Sequence, residues 1–306
     1  MASADAIRFA TFDTGLGRKG PGLMLRDLRS GKNDQAEAAL SIIVAADADV
    51  LMLMDVDWDY DGAGLDAVVQ RLAGAGLTYG HTVELPPNSG VPSGVDLDGD
   101  GTTYEARDAL GYGWFLGDSG MAVLSRYPFG AVEDLSHTLW SDISEASNVL
   151  PPDARAVVPL ATTAQWVIPL RIGAEEITLI TLSAGTPVFD GPEDRNGLRN
   201  RDELAFVANL VDAARRPLVM GRANQDPARG EGHAEALHCL LEHPALQDPR
   251  PLSDDGSPAT VEWRTAGRMR VDYVLPPRSL RVLGSGVLHD PDAGSSRLVW
   301  VEVAVP

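Results

Sequence analysis

Apolar residues follow two rhythms along this chain, and the rhythms alternate. Apolar runs at Val50–Met54 and Leu218–Gly221 predict short buried strands, the first unbroken and covered on both faces, and Ile7–Phe12 and Met121–Arg126 read as strands too. Asp34 to Ala46 instead sets Ala38, Ile42 and Ala45 on one helical face, with Asp34 as the N-cap. Leu65–Leu72 also reads as a helix. So does Asn200–Ala214, with Leu204, Val207, Leu210 and Val211 inward. Trp166–Ile172 and Glu176–Leu182 alternate on either side of Gly173-Ala174 and predict a strand pair. Thr78–Val83, Arg268–Leu275 and Leu280–Leu288 read as further strands, and Ser295 to Trp300 leads into the closing one. Alternating strands and helices predict an α/β fold.

Three stretches break the rhythm. Gly15–Gly22 reads as a flexible turn, and Ala131 to Leu160 as loops and short turns. Glu84 to Gly113 is a long excursion rich in Gly, Pro and Asp, of a length that usually serves a function or is held by a ligand. Within it, Asp96-Leu97-Asp98-Gly99-Asp100-Gly101-Thr102 matches the first half of a calcium loop, with carboxylates at alternate positions and glycine at the sharp turn. The closing glutamate of such a loop falls at Arg107, which cannot ligate; Asp108, next to it, can take that place. A Ca2+ site on Asp96, Asp98, Asp100 and Asp108 and a plain acidic turn both account for the pattern.

Charge narrows the partners. The 306 residues carry 25 Lys+Arg against 44 Asp+Glu, a formal net charge of −19. Such a surface repels phosphate backbones and argues against free nucleic acid as a partner. There is one cysteine, Cys239, so no intramolecular disulfide forms. No run reaches a membrane span, and residues Met1 to Ile7 have no signal-peptide pattern. As given, the chain reads as cytoplasmic, or as secreted or periplasmic if a signal peptide has been removed. His233, His238 and His243 are five apart, which turns each about 140° from the last around a helix and excludes a shared zinc face.

Several phrases carry a family resemblance. They are Gly-Met-Ala-Val-Leu-Ser-Arg-Tyr-Pro from Gly120, Thr186 to Gly197, and the Arg-x-Asp-Tyr-Val-Leu strand that retains Asp272. A fourth is the strand end Gly221-Arg222-Ala223-Asn224. Together they resemble the endonuclease/exonuclease/phosphatase family, whose members cleave phosphoesters with a divalent metal. The resemblance runs from Ile7 to Val303. It implies one domain over residues 1–306, a four-layer α/β sandwich with two mixed β-sheets face to face and helices outside.

The chemistry departs from the scaffold. The resemblance implies a metal-ligating glutamate where Asp55 stands, about 1.5 Å shorter in reach. It implies an asparagine at Asp13 and a histidine and an aspartate at Gln165 and Val167. A phosphate-contacting histidine is implied at Ser183, an aspartate at Arg222, and an Asp-His pair at Ser295 and Ser296. Asn224 and Asp272 are kept. A guanidinium accepts no hydrogen bond and cannot activate water, and a serine moves no proton near neutral pH. An arginine about 4 Å from a dication is repelled by roughly 8 kcal/mol at an effective dielectric of 20. Mg2+ or Mn2+ is therefore not expected in the ancestral site. Arg222 is expected to serve as the counter-charge for Asp13, Asp55 or Asp272.

The expected function is that of a pseudoenzyme which binds or scaffolds, its partner an unidentified protein or a small anionic ligand. One alternative is a metal-dependent phosphodiesterase or phosphatase with a rearranged site on Asp13, Asp55 and Asp272. Another is a calcium-stabilised binding module.

Overall fold

Strand alternation divides the apolar side chains between layers. Val50, Met52 and Met54 turn to one side of their sheet, and Leu51 and Leu53 to the other. Leu218 and Met220 face inward while Val219 faces out. The computed structural model describes residues 5–306. In chain order the elements are β1 (Asp5–Asp13), α1 (Leu23–Ser30), α2 (Asp34–Ala46), β2 (Val50–Val56), α3 (Ala63–Gly74), β3 (His81–Glu84), β4 (Gly120–Ser125), β5 (Glu133–Asp134), α4 (Trp140–Ile143) and α5 (Pro152–Arg155). There follow β6 (Trp166–Ile172), β7 (Glu175–Ser183), α6 (Arg195–Ala213), β8 (Pro217–Arg222), α7 (Ala234–Leu241), β9 (Val261–Trp263), β10 (Gly267–Met269), β11 (Asp272–Leu275), β12 (Arg281–Leu288) and β13 (Leu298–Val305).

A six-stranded sheet runs β12-β13-β1-β2-β4-β3, and a five-stranded sheet runs β11-β8-β7-β6-β5. Each is mixed. β1 pairs in parallel with β2, and β7 with β8, while their other neighbours are antiparallel. The sheets bury Phe9, Met52, Val123 and Val301 of one against Ile168, Leu179, Met220 and Val274 of the other. Helices α1 to α3 cover the outside of the first sheet through Leu28, Ile43 and Val68. Helices α6 and α7 cover the second through Leu204, Val207 and Leu237. This is the four-layer α/β sandwich. Among the described residues, no helix is long and apolar enough to cross a membrane.

Four local features differ from the sequence expectation. Helix α2 buries Ala36, Ala39, Ile43 and Ala46 beside Ile42 and leaves Ala45 exposed. The α2 cap is Asn33, whose side chain accepts the Ala36 N–H at 3.0 Å; Asp34 is the first helical residue. The expected strand Arg268–Leu275 is broken between β10 and β11. Its donors there turn to side chains: Arg270 N–H to Asp226 at 2.7 Å, and Val271 and Asp272 N–H to the Thr260 hydroxyl at 2.9 and 3.0 Å. The stretch from Ala131 to Leu160 contains β5, α4 and α5, with its own small core around Trp140, Leu150 and Leu160. The indole of Trp140 donates to buried Asp202 at 2.7 Å.

Candidate functional site

Chain direction brings the polar residues together. β1, β2, β7 and β8 all finish at the same rim, where β11 starts and the approach to β13 passes. Asp13, Asp55, Ser183, Arg222 and Asp272 are therefore carried to one end of the sandwich. Two register positions matter most. Arg222 lies opposite Asp272 on one side of β8 and opposite Ser183 on the other.

A glycine permits the arrangement. Gly221 has φ 133, and a Cβ there would sit 1.9 Å from the Leu182 carbonyl oxygen. No L side chain tolerates that approach, so β7 and β8 close up just before Arg222.

Arg222 is the hub. Its Nε and Nη2 donate to Asp272 at 2.7 and 3.1 Å, its Nη1 donates to Asp13, and Nη2 also reaches the Ser296 hydroxyl at 3.2 Å. The Arg222 side chain is 12% exposed and that of Asp272 fully buried. Burial works against the Arg222 charge, but Asp13 and Asp272 outweigh it and hold the guanidinium above its ordinary value. Arg222 thus sits between two of the three acids named for it.

The third acid is held differently. Asp55 lies at a break in register between β2 and β4, with φ 54. Such a bulge aims a side chain out of the ladder, and a positive φ outside glycine marks local constraint. The Ser119 hydroxyl donates to Asp55 at 2.6 Å. Gly17 N–H bonds the Asp55 carbonyl at 2.8 Å. Burial first, then the Asp13 charge, pushes Asp55 up to about 6 against the pull of Ser119 and Arg222.

The remaining expected residues do other work. Gln165 is buried and donates to the Thr181 carbonyl at 2.7 Å, tying β6 to β7. Asn224, at φ 54, donates to the Ala184 carbonyl at 2.8 Å. Ser295 is exposed, and its carbonyl accepts the Glu262 N–H. Gln165, Asn224 and Ser295 make no hydrogen bond to Arg222.

Some participants escaped the sequence reading. Asp57 follows the end of the apolar run of β2, where nothing in the periodicity marks it, yet it is 5% exposed and accepts the N–H groups of Arg18 and Ser119 at 3.1 and 3.3 Å. Burial pushes it up to about 7. Asp118 and Ser119 stand just before the Gly120 phrase, and nothing in their periodicity marks them. Asp59 caps α3, accepting from Ala63 and Gly64 at 2.9 and 2.6 Å.

Among the described residues, one group of three carboxylates has ligand atoms all within 4.8 Å of one another: Asp96, Asp98 and Asp108. It lies in the 84–113 excursion, apart from the cluster around Arg222. Asp100, the fourth residue expected there, instead binds the backbone N–H and hydroxyl of Thr102 at 2.8 and 2.6 Å.

A model of the Endonuclease/Exonuclease/phosphatase family matches residues 23–296 of this chain. Three solved structures are similar over nearly its whole length. An endonuclease/exonuclease/phosphatase from Beutenbergia cavernae is 19% identical at TM-score 0.62, covering 98% of this chain and 72% of its own. Sphingomyelinase C from Streptomyces griseocarneus is 14% identical at TM-score 0.58, covering 97% and 99%. The human Nocturnin catalytic domain with bound sulfate is 18% identical at TM-score 0.56, covering 98% and 95%. Identities this low speak to fold and not to activity. No curated protein sequence matches.

Proposed function

This chain belongs to the endonuclease/exonuclease/phosphatase family, and on that premise we propose that it is a catalytically inactive member that works by binding a protein partner. The observation that carries this reading is Arg222 bridging Asp13 and Asp272 at the rim where their strands meet. The family reaction needs a dication to polarise the phosphoryl oxygen. The side chains present do not fit one. Two of the three carboxylates that would hold it, Asp13 and Asp272, are already bonded to a fixed guanidinium, whose repulsion of a dication is of the order of 8 kcal/mol at about 4 Å. Ser183 and Ser296 supply no imidazole for the charge that develops in phosphoryl transfer.

Between the two kinds of partner, a protein is favoured over a small anion. Arg222 already directs its donors to Asp13, Asp272 and Ser296, so an anion would have to displace a carboxylate. An exposed aromatic surface is linked to Asp55: Tyr112 and Trp114 meet edge-on at 6.1 Å, with Leu116 exposed next to them. The Trp114 N–H donates to Asp118 at 2.7 Å, and Asp118 shares the Ser119 hydroxyl with Asp55. Exposed aromatics of this kind are enriched at the centres of protein interfaces.

One observation favours a second reading, a phosphoesterase with a rearranged metal site. Asp55 is not hydrogen-bonded to Arg222, and its pKa of about 6 suits proton transfer near neutrality. Turnover of bis(p-nitrophenyl) phosphate with Mg2+ or Mn2+ decides between them. The inactive reading predicts no metal-stimulated hydrolysis; stimulated hydrolysis well above that of an Arg222→Ala control would establish the enzyme.

A further inference from the structure

The 84–113 excursion is built, rather than loose. At its neck, Asn88 donates to the Ser136 and Ala161 carbonyls at 2.7 and 2.8 Å. Towards its tip, Val95 and Leu97 pack on the small core around Trp140, and Arg195 at the start of α6 donates to the Leu97 carbonyl at 2.6 Å. The tip itself folds on Asp96, which accepts the N–H groups of Gly99 and Gly101 at 2.7 and 2.9 Å. These contacts shape the loop and say nothing yet of a ligand.

Asp108 does. It is 1% exposed, carried inward by the 3-10 turn Ala106–Asp108. One of its oxygens accepts the Leu97 N–H at 2.8 Å. The other, Oδ2, is buried and has no hydrogen-bond partner. A carboxylate oxygen left in that state carries a full desolvation penalty unless something positive meets it. Asp96 and Asp98 bring carboxylate oxygens within 4.8 Å of it and of each other. The cation nearest by sequence, Arg107, reaches only Asp98, at 3.9 Å and with its side chain largely exposed.

We infer that Asp96, Asp98 and Asp108 form a calcium-binding site. Three carboxylates from one loop suit a hard cation that takes six to eight oxygens, with carbonyls and waters completing the set, better than they suit Mg2+ and its strict octahedron. The loop follows the spacing of a calcium loop through its first half. It closes one residue late, on Asp108, because position 107 holds an arginine that turns outward. The site is separate from the Arg222 cluster and does not depend on how that cluster is read.

The test is calorimetric titration of the chelator-treated full chain with CaCl2, alongside melting with Ca2+ and with EGTA. The expected result is one equivalent of Ca2+ bound, with Kd on the order of 10⁻⁴ M, and a rise in Tm of a few degrees at saturating Ca2+. Asp98→Asn keeps the oxygen that accepts the Asp100 N–H and should fold normally; it is expected to weaken binding at least about tenfold. Asp108→Asn should lose the calcium response outright. No binding heat and an unchanged Tm in the native protein would overturn the site. So would a calcium response undiminished in both variants.

Discussion

Asp272 stands opposite Arg222 in the ladder between β11 and β8, and the guanidinium reaches both its carboxylate oxygens, Nε at 2.7 Å and Nη2 at 3.1 Å. Two parallel charge-assisted bonds fix the arginine's plane, and that plane points the remaining amine at Asp13. The strand register therefore sets the electrostatics of the pocket.

Removing the arginine should be costly. Arg222→Met leaves Asp272 buried with no counter-charge and is expected to destabilise the fold by roughly 3–5 kcal/mol at pH 7, read by urea unfolding. The double variant Arg222→Met, Asp272→Leu should recover part of that loss, because an apolar pair of similar volume removes the fully buried Asp272 charge, leaving only the less buried Asp13 without its partner. A single-variant loss below about 1 kcal/mol would mean that the pair behaves like a surface ion pair.

Stability should fall as pH rises through neutrality. Asp55, Asp57 and Glu203 are pushed up to about 6, 7 and 7 in the folded chain, chiefly by burial. The folded state then binds more protons than the unfolded one between the ordinary carboxyl range and those values, so ∂ΔG/∂pH is negative there. The contribution is complete below about pH 4 and gone above about pH 8. Asp57→Asn cannot titrate. It should flatten the decline from pH 5 to pH 8 by on the order of 3 kcal/mol, measured by urea unfolding at both pH values.

Closure of β7 on β8 should depend on one missing methyl group. Gly221→Ala would place its Cβ 1.9 Å from the Leu182 carbonyl oxygen, at φ 133. A loss of at least about 3 kcal/mol, or failure to fold, is expected. Ala at Gly74, in helix α3 with open space around its Cβ, serves as the control and should be neutral or slightly stabilising.

The layers were legible in the sequence because they rest on local rules. Val50–Met54 and Leu218–Gly221 announce buried strands by composition alone, and the family phrases fix the architecture. The meeting of Arg222 with Asp13 and Asp272 was legible as charge arithmetic, three acids and one cation carried to a single rim. Asp57 was not, because its burial depends on Arg18 and Ser119, which approach from distant segments. The split between β10 and β11 was hidden for a related reason: the Asp226 carboxylate that takes the Arg270 donor comes from a distant segment, and the Thr260 hydroxyl that takes those of Val271 and Asp272 carries no signal in the periodicity. The role of Asp108 was half visible. Spacing pointed to position 107, and only the turn at Ala106–Asp108 shows which carboxylate faces in.

The central claim is that the Arg222 guanidinium occupies the seat of a divalent cation. Anomalous diffraction from crystals soaked in MnCl2 tests it most directly. The account predicts no manganese peak among Asp13, Asp55 and Asp272, with Arg222 still on both Asp13 and Asp272. A peak between those carboxylates with the arginine swung aside would contradict it.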